Sequence, residues 1–183
     1  LGPGMVRRWS YAVAKLYGEQ LTSSYYHDYD IPVVVLRYFG GFSPRSSFAW
    51  SGGHIPIFVR AILNDEEVMI HGDGKQTRSM AYVDDLVDGT ILAMENDDAI
   101  GELFNLGNDE EISVLDSAKI IHRLANTGKA LKKRFIPFEE IFGEYKDIMR
   151  RVPDLTKAME ILGYAPKFSF EKAIKKTLAH LRK

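Results

Sequence analysis

Val33-Val34-Val35-Leu36-Arg37-Tyr38-Phe39-Gly40-Gly41 is the segment that makes this an α/β chain. Its first four residues are apolar without polar alternation and three are β-branched, the pattern of a parallel strand covered on both faces. Such a strand needs neighbours. Upstream, Asp30-Ile31-Pro32 closes a helix read over residues 6–29. That helix has apolar positions at Val13, Leu16, Tyr17 and Leu21 and a second stripe at Tyr11, Ala14, Tyr25 and Tyr29. Two stripes imply burial on two sides.

Downstream the elements alternate. Residues 40–53, rich in Gly, Ser and Pro, read as a loop, 55–63 as a short helix, Val68-Met69-Ile70 as a strand, His71-Gly72-Asp73-Gly74 as a turn and 77–83 as an extended segment. Asp84 is placed to cap a helix running to Met94, and residues 103–106 form another strand. Ser113 reads as the N-cap of a helix to Ala125, with Asp116 at the capping-box position and Gly128 as terminator. A strand at 134–138 and helices at 154–162 and 169–181 complete an α/β order.

Composition narrows the function classes. In 183 residues, 24 basic side chains face 25 acidic ones, so no net field draws the chain to nucleic acid or to an anionic membrane. There is no cysteine, which removes disulfides, thiolate catalysis and Cys-ligated zinc. The five histidines are too scattered for a short metal-ligand motif, so no metal is expected. No apolar run approaches the roughly 20 residues that span a bilayer, and a cytoplasmic location is the expectation. Leu1-Gly2-Pro3-Gly4 carries no initiator methionine and reads as the interior of a longer chain.

Four groups of residues carry possible chemistry. Tyr11 and Lys15 stand at i and i+4, on one helix face, where an ammonium favours phenolate and could make the phenol a base. A solvated helix face is the alternative. Phe39-Gly40-Gly41 leaves the apolar strand, and its glycines would let backbone approach a flat ligand while Phe39 packs on it, or form a flexible exit. The turn His71-Gly72-Asp73-Gly74-Lys75 leads to Arg78, a forked cation for a diphosphate or an exposed hairpin arginine. His71 could contact a ligand through the turn or simply pack. Arg150-Arg151-Val152-Pro153-Asp154 supplies a second cationic point, or a solvated basic pair.

In this order the segments resemble the carboxyl-terminal half of the extended short-chain dehydrogenase/reductase superfamily, in its nucleotide-sugar epimerase, dehydratase and decarboxylase branch. UDP-glucose 4-epimerases and UDP-glucuronate decarboxylases look most similar. The likeness runs through Tyr11-x-x-x-Lys15, Arg37-Tyr-Phe39, the 72–78 run with Val83-Asp-Asp-Leu86, Asn105-Leu-Gly-Asn108, and Arg151-Val-Pro-Asp-Leu with Leu162-Gly-Tyr-Ala-Pro166. It implies a Rossmann-type parallel sheet, with a smaller mixed α/β substrate-binding domain. Residues 1–53 and 78–108 would belong to the NAD-binding domain, and 54–77 and 109–183 to the nucleotide-sugar domain. The Gly-rich dinucleotide fingerprint would lie upstream.

By that resemblance Tyr11 is the acid/base, Lys15 holds the nicotinamide ribose, and Phe39, Gly40 and Gly41 lie against NAD. Phe58, His71, Gly72, Asp73, Gly74, Lys75, Arg78 and Arg151 would hold the nucleotide diphosphate. A homodimer acting on a UDP-sugar through a keto-sugar is implied, as an epimerase or dehydratase, alternatively as a UDP-glucuronate decarboxylase. Gly40 stands where the family has Asn, and Ser43 where it has Gly. These departures leave a non-catalytic, dinucleotide-binding regulatory relative as the reading from another class.

Overall fold

The computed structural model describes residues 9–48, 53–142 and 148–182. A long helix, α1 (Trp9–Tyr29), leads into β1 (Val35–Tyr38) and the short β2 (Gly41–Phe42). Then come α2 (His54–Leu63), β3 (Val68–His71), β4 (Thr77–Ser79), β5 (Ala81–Tyr82) and α3 (Val83–Glu95). After a 3-10 turn at Asp97–Ala99 follow β6 (Leu103–Leu106), β7 (Glu111–Ser113), α4 (Val114–Ala125), β8 (Lys133–Ile136) and α5 (Phe138–Phe142). β9 (Arg150–Arg151), α6 (Thr156–Leu162) and α7 (Phe170–Leu181) end the order.

The strand pairs are mostly parallel. β1 runs beside β6 with Leu36 opposite Phe104, β2 beside β5, and β3 beside β8. In the one three-stranded set, β4 is flanked by antiparallel β7 and parallel β9. The strand expected at residues 33–36 lies two residues later, and Val33 enters the pairing only through its carbonyl, which accepts from Gly101 N–H at 2.8 Å.

Helix periodicity builds two cores. The apolar positions Ile55, Phe58, Val59 and Ile62 of α2 recur at helical spacing and meet Val114, Ala118 and Ile121 of α4 and Phe170, Ile174 and Leu178 of α7. Pro56 is harmless because it lies in the first turn of α2, where backbone N–H groups have no intrahelical acceptor. The second cluster joins α3, β6 and α6 through Ala93, Phe104, Leu106, Leu155, Ala158, Leu162 and Tyr164. Residues 155–164 therefore pack on the β1–β6 side of the molecule.

Several local expectations are corrected. Asp84 does not cap α3, which has no side-chain cap; its carboxylate takes Lys176 of α7 at 2.5 Å. The buried neighbour Asp85 accepts the N–H groups of Lys167 and Phe168, fixing the strand-like approach to α7. Asn126, at φ 45°, and not Gly128, terminates α4. Ser113 caps α4 as expected, but Asp116 returns to the Ser113 hydroxyl instead of its backbone. The helix expected at 154 starts at Thr156, where Asp154 Oδ1 accepts the Thr156 N–H at 2.9 Å. In α1 none of the described residues is buried: Tyr11, Val13, Leu16, Tyr17, Leu21, Tyr25 and Tyr29 all stand exposed. The two apolar stripes are thus not buried among the described residues, where the side-chain contacts of α1 with the rest of the chain include the Glu19–Arg37 fork and the approach of Tyr26 to Gly101. No described helix is long and apolar enough to cross a membrane.

Candidate functional site

The most defined part of the site is built by strand register. Arg78 and Arg151 are partners across the parallel β4–β9 pair, so their side chains leave the same face. Thr77 and Arg150, one residue back, point the other way and close on Glu111: the Thr77 hydroxyl donates to Oε1 at 2.6 Å and Arg150 Nε to Oε2 at 3.0 Å. These two donors, Thr77 first, hold the Glu111 carboxyl below the usual carboxylate range. Alternation therefore assigns Arg150 to structure and Arg151 to the face of Arg78. Arg78 is only 8% exposed, and its Nη1 donates to the carbonyls of Thr77 and Ile148, each at 2.7 Å. A guanidinium anchored in this way is held in a fixed plane.

His54, the first residue of α2, shares this electrostatic environment. Burial, followed by the positive fields of Arg78, Arg151 and His71, pushes its pKa down to about 4. The imidazole is neutral at neutral pH and stands edge-on to Phe58, with ring centroids 5.3 Å apart. Sequence gave no signal for His54 beyond its place before Ile55-Pro56, since its cationic neighbours arrive from three separate strands.

The turn after β3 is shaped by packing. Gly72 and Gly74 have φ of 66° and 74°. A methyl on Gly72 would come within 2.3 Å of the Phe138 ring, and one on Gly74 within 2.9 Å of Ile70 and Leu115. Asp73 Oδ1 accepts the Lys75 N–H at 2.9 Å, its other oxygen lies 3.6 Å from the exposed Lys75 ammonium, and the His71 carbonyl accepts from buried Gln76. Phe58, 2% exposed, lies in the core between α2, α4 and α7. Its ring meets that of His54, the residue that feels the charges of Arg78 and Arg151, so Phe58 stands next to this group but is almost fully covered.

At the carboxyl end of β1 the backbone runs very close to its neighbours. Phe39 N–H donates to Leu106 O at 2.9 Å, and Gly107 lies so near that a methyl there would be 2.9 Å from Phe39 Cβ and 3.2 Å from Pro153. Phe39 is thereby brought beside the segment that follows Arg151. Gly40, at φ 54°, passes directly over β4: an added Cβ would fall 2.3 Å from the Ser79 carbonyl oxygen. Its own carbonyl accepts Ala81 N–H at 3.1 Å, and Gly41 pairs with Ala81. The glycine at position 40 is a close-approach residue, which accounts physically for the absence of the expected Asn.

The last part is α1. Lys15 Nζ lies 5.5 Å from the Tyr11 ring centroid, and the Tyr11 side chain is 72% exposed. One turn further on, Glu19 receives a fork from Arg37 of β1, with Nε at 2.7 Å and Nη2 at 2.5 Å. The Arg37 fork holds Glu19 below the usual carboxylate range, and Glu19 in turn raises Arg37. The helical spacing of Glu19 from Lys15 was visible in the sequence; its partner across to β1 was not.

The described residues thus hold an exposed Tyr–Lys pair on α1 and, on β4 and β9, a register pair of arginines of which Arg78 is buried. The family model described as GDP-mannose 4,6 dehydratase matches residues 5–177. The chain belongs to this family, within the extended short-chain dehydrogenase/reductase proteins that its motifs resemble, and its fold is part of their Rossmann-type architecture. It is 36% identical over 176 residues to a UDP-N-acetyl-alpha-D-glucosaminuronate decarboxylase of Bacillus cytotoxicus, covering 96% of this chain and 54% of that protein. It is 35% identical to UDP-glucuronic acid decarboxylase 2 of Arabidopsis thaliana, covering 91% of this chain and 35% of the relative. Among solved structures, UDP-glucuronic acid 4-epimerase of Bacillus cereus, in complex with UDP-glucuronic acid and NAD, superimposes with a TM-score of 0.82 at 32% identity. That match covers 94% of this chain and 52% of the epimerase. The chain spans about half the length, or less, of the curated relatives it matches.

Proposed function

We propose that this chain carries the acid/base and substrate-binding part of an NAD-dependent nucleotide-sugar epimerase or dehydratase, acting on a UDP-sugar. The observation that supports it most is the register pairing of Arg78 with Arg151 on one face. Two adjacent guanidinium groups form a receptor for a diphosphate, and their separation in sequence makes a chance basic patch a poor explanation. The solved relative that binds UDP-glucuronic acid adds support from outside the chain.

The residues present also fit a nicotinamide cofactor: Tyr11 and Lys15 are adjacent and open, and Phe39 follows the strand end beside Gly107. Lys15 would donate to the cofactor ribose and favour phenolate at Tyr11. Tyr11 would take the proton from a sugar hydroxyl. When bound, NAD supplies the acceptor for hydride from the same carbon, leaving a keto-sugar. Arg78 and Arg151 hold the diphosphate while the sugar reacts, and Gly40 and Gly41 keep the backbone low beside it.

Decarboxylation of a UDP-uronic acid is the second reading, favoured by the decarboxylases among the relatives. We assign residues 1–53 and 78–108 to the NAD-binding domain together with 155–164, and the remainder to the sugar-nucleotide domain. The exposed apolar side chains of α1 support a homodimer through that helix, which light scattering on the full-length protein would test. The enzymatic reading is tested by incubating full-length protein with NAD+ and UDP-glucose or UDP-glucuronic acid and separating the products. Release of carbon dioxide and a UDP-pentose identifies the decarboxylase, inversion at one sugar carbon the epimerase, and no conversion of either sugar by folded protein rejects both.

A further inference from the structure

Lys15 has two possible partners on its own helix, Tyr11 one turn before it and Glu19 one turn after it. All three lie within one side of α1, at i, i+4 and i+8. A lysine and a glutamate at this spacing attract each other, and such a pairing would draw the ammonium toward Glu19 and weaken its field at Tyr11. The structure shows the other arrangement. Lys15 Nζ lies over the Tyr11 ring at 5.5 Å, while both oxygens of Glu19 are taken by Arg37 of β1 through Nε and Nη2. The Glu19 side chain is 17% exposed and that of Arg37 47%, so the fork is partly shielded on the carboxylate side.

We propose that Arg37 is a positioning residue that sequesters Glu19, leaving the Lys15 charge for Tyr11. The inference rests on Tyr11 being the acid/base. It adds a role for Arg37, which precedes Tyr38-Phe39 on β1 and touches neither Tyr11 nor Lys15 among the described contacts. The geometry favours it for a simple reason: a planar guanidinium binds a carboxylate through two parallel N–H···O bonds, which a single ammonium cannot match. Glu19 is therefore committed before Lys15 can compete. Among the described residues, the charged groups whose contacts link them to this stretch of α1 are Lys15 and Glu19 from α1 and Arg37 from β1. Removing Arg37 would release a carboxylate one turn from Lys15.

The test is the pH dependence of NAD+ reduction in a single turnover of full-length protein with UDP-glucuronic acid. It compares wild type, Arg37→Met, Glu19→Gln, Arg37→Met/Glu19→Gln, Arg37→Lys and Tyr11→Phe. Because phenolate is the reactive form, the rate climbs with pH along an ascending limb. In Arg37→Met that limb is expected to move to higher pH by about one unit, the scale of a lost neighbouring charge. Glu19→Gln alone should leave it in place, and adding Glu19→Gln to Arg37→Met should bring it back. Arg37→Lys, which keeps a cation on Glu19, should remain near wild type and covers the case in which Arg37→Met does not fold. An Arg37→Met limb at the wild-type position, or a double variant that stays shifted, overturns the proposal, since a purely structural fork lowers the plateau without moving the limb. If Arg37→Met is unfolded, an Arg37→Lys limb displaced like that of a Lys15→Ala control overturns it instead. Undiminished turnover in Tyr11→Phe is a separate result, which removes the acid/base reading itself.

Discussion

Arg78 and Arg151 are register partners on neighbouring parallel strands, although more than a third of the chain separates them. On the proposed reading a doubly charged diphosphate is held between them. Arg151→Ala is expected to weaken UDP binding by about ten- to a hundredfold, the equivalent of about 1.5–3 kcal/mol for a charge-assisted contact. Calorimetric titration reads this directly. Arg78→Ala should cost affinity and also stability, because Arg78 ties β4 to the Ile148 carbonyl. Arg78→Lys keeps the charge and separates the two effects. UDP affinity indifferent to both arginines would remove the main support for the nucleotide-sugar reading.

For Tyr11 the expectation is kinetic. Tyr11→Phe deletes only a hydroxyl from a side chain that is 72% exposed, so melting temperature should hardly change. Turnover should fall by roughly 10²–10⁴-fold, as for other lost acid/base groups. Lys15→Ala should weaken NAD binding as well, which fluorescence titration of the nicotinamide would detect.

His54 makes a statement about acid stability. Its pKa is pushed down to about 4 in the folded chain from the ordinary 6.5, so between those pH values the unfolded state binds the extra proton and folding loses free energy as pH falls. The contribution is complete above about pH 6.5 and gone below about pH 4, and amounts to about 2 kcal/mol after allowance for partial exposure. His54→Asn should therefore flatten the fall in stability across this window, measured as urea midpoints at several pH values. A wild-type and variant difference that does not depend on pH from 7 to 4 would show that His54 does not titrate as described.

Gly40 tests the departure from the family pattern. Its φ of 54° is one that Asn tolerates, yet any Cβ falls 2.3 Å from a backbone oxygen that cannot swing aside. Gly40→Asn and Gly40→Ala are both expected to destabilise the protein by about 2–4 kcal/mol, with the Asn variant not rescued by its favourable backbone preference. A melting temperature unchanged in Gly40→Asn would mean that β2 and β5 separate easily, and that the missing Asn is not excluded by the fold.

Much of this was legible in the residues themselves. The apolar run at 33–36 announced a parallel strand, and residues 55–63 announced a short helix, because periodicity is a local property. Ser113 and Ser169 marked helix starts through a hydrogen bond three residues long. The short strands β2, β7 and β9 were not legible, since two or three residues carry no period and are defined by partners distant in sequence. The same limit applied within the site. Tyr11 and Lys15 could be paired by counting along a helix, whereas the neutral state of His54 and the fork between Glu19 and Arg37 depend on strands meeting.

Tyr26, near the far end of α1, packs closely on Gly101: a methyl at that glycine would be 2.8 Å from Tyr26 Cε1 and 3.0 Å from its hydroxyl. Taken as a fulcrum, this contact makes α1 a long lever. Tyr11 lies fifteen residues up the same helix, about 22 Å away at 1.5 Å per residue. A tilt of about 5° at the fulcrum swings the phenol by about 2 Å, and a displacement of even 1 Å can cost about a hundredfold in rate. On the proposed reading of Tyr11, a methyl added at position 101 would thus bear on a hydroxyl at the opposite end of the helix. Gly101→Ala should act on the chemistry from that distance.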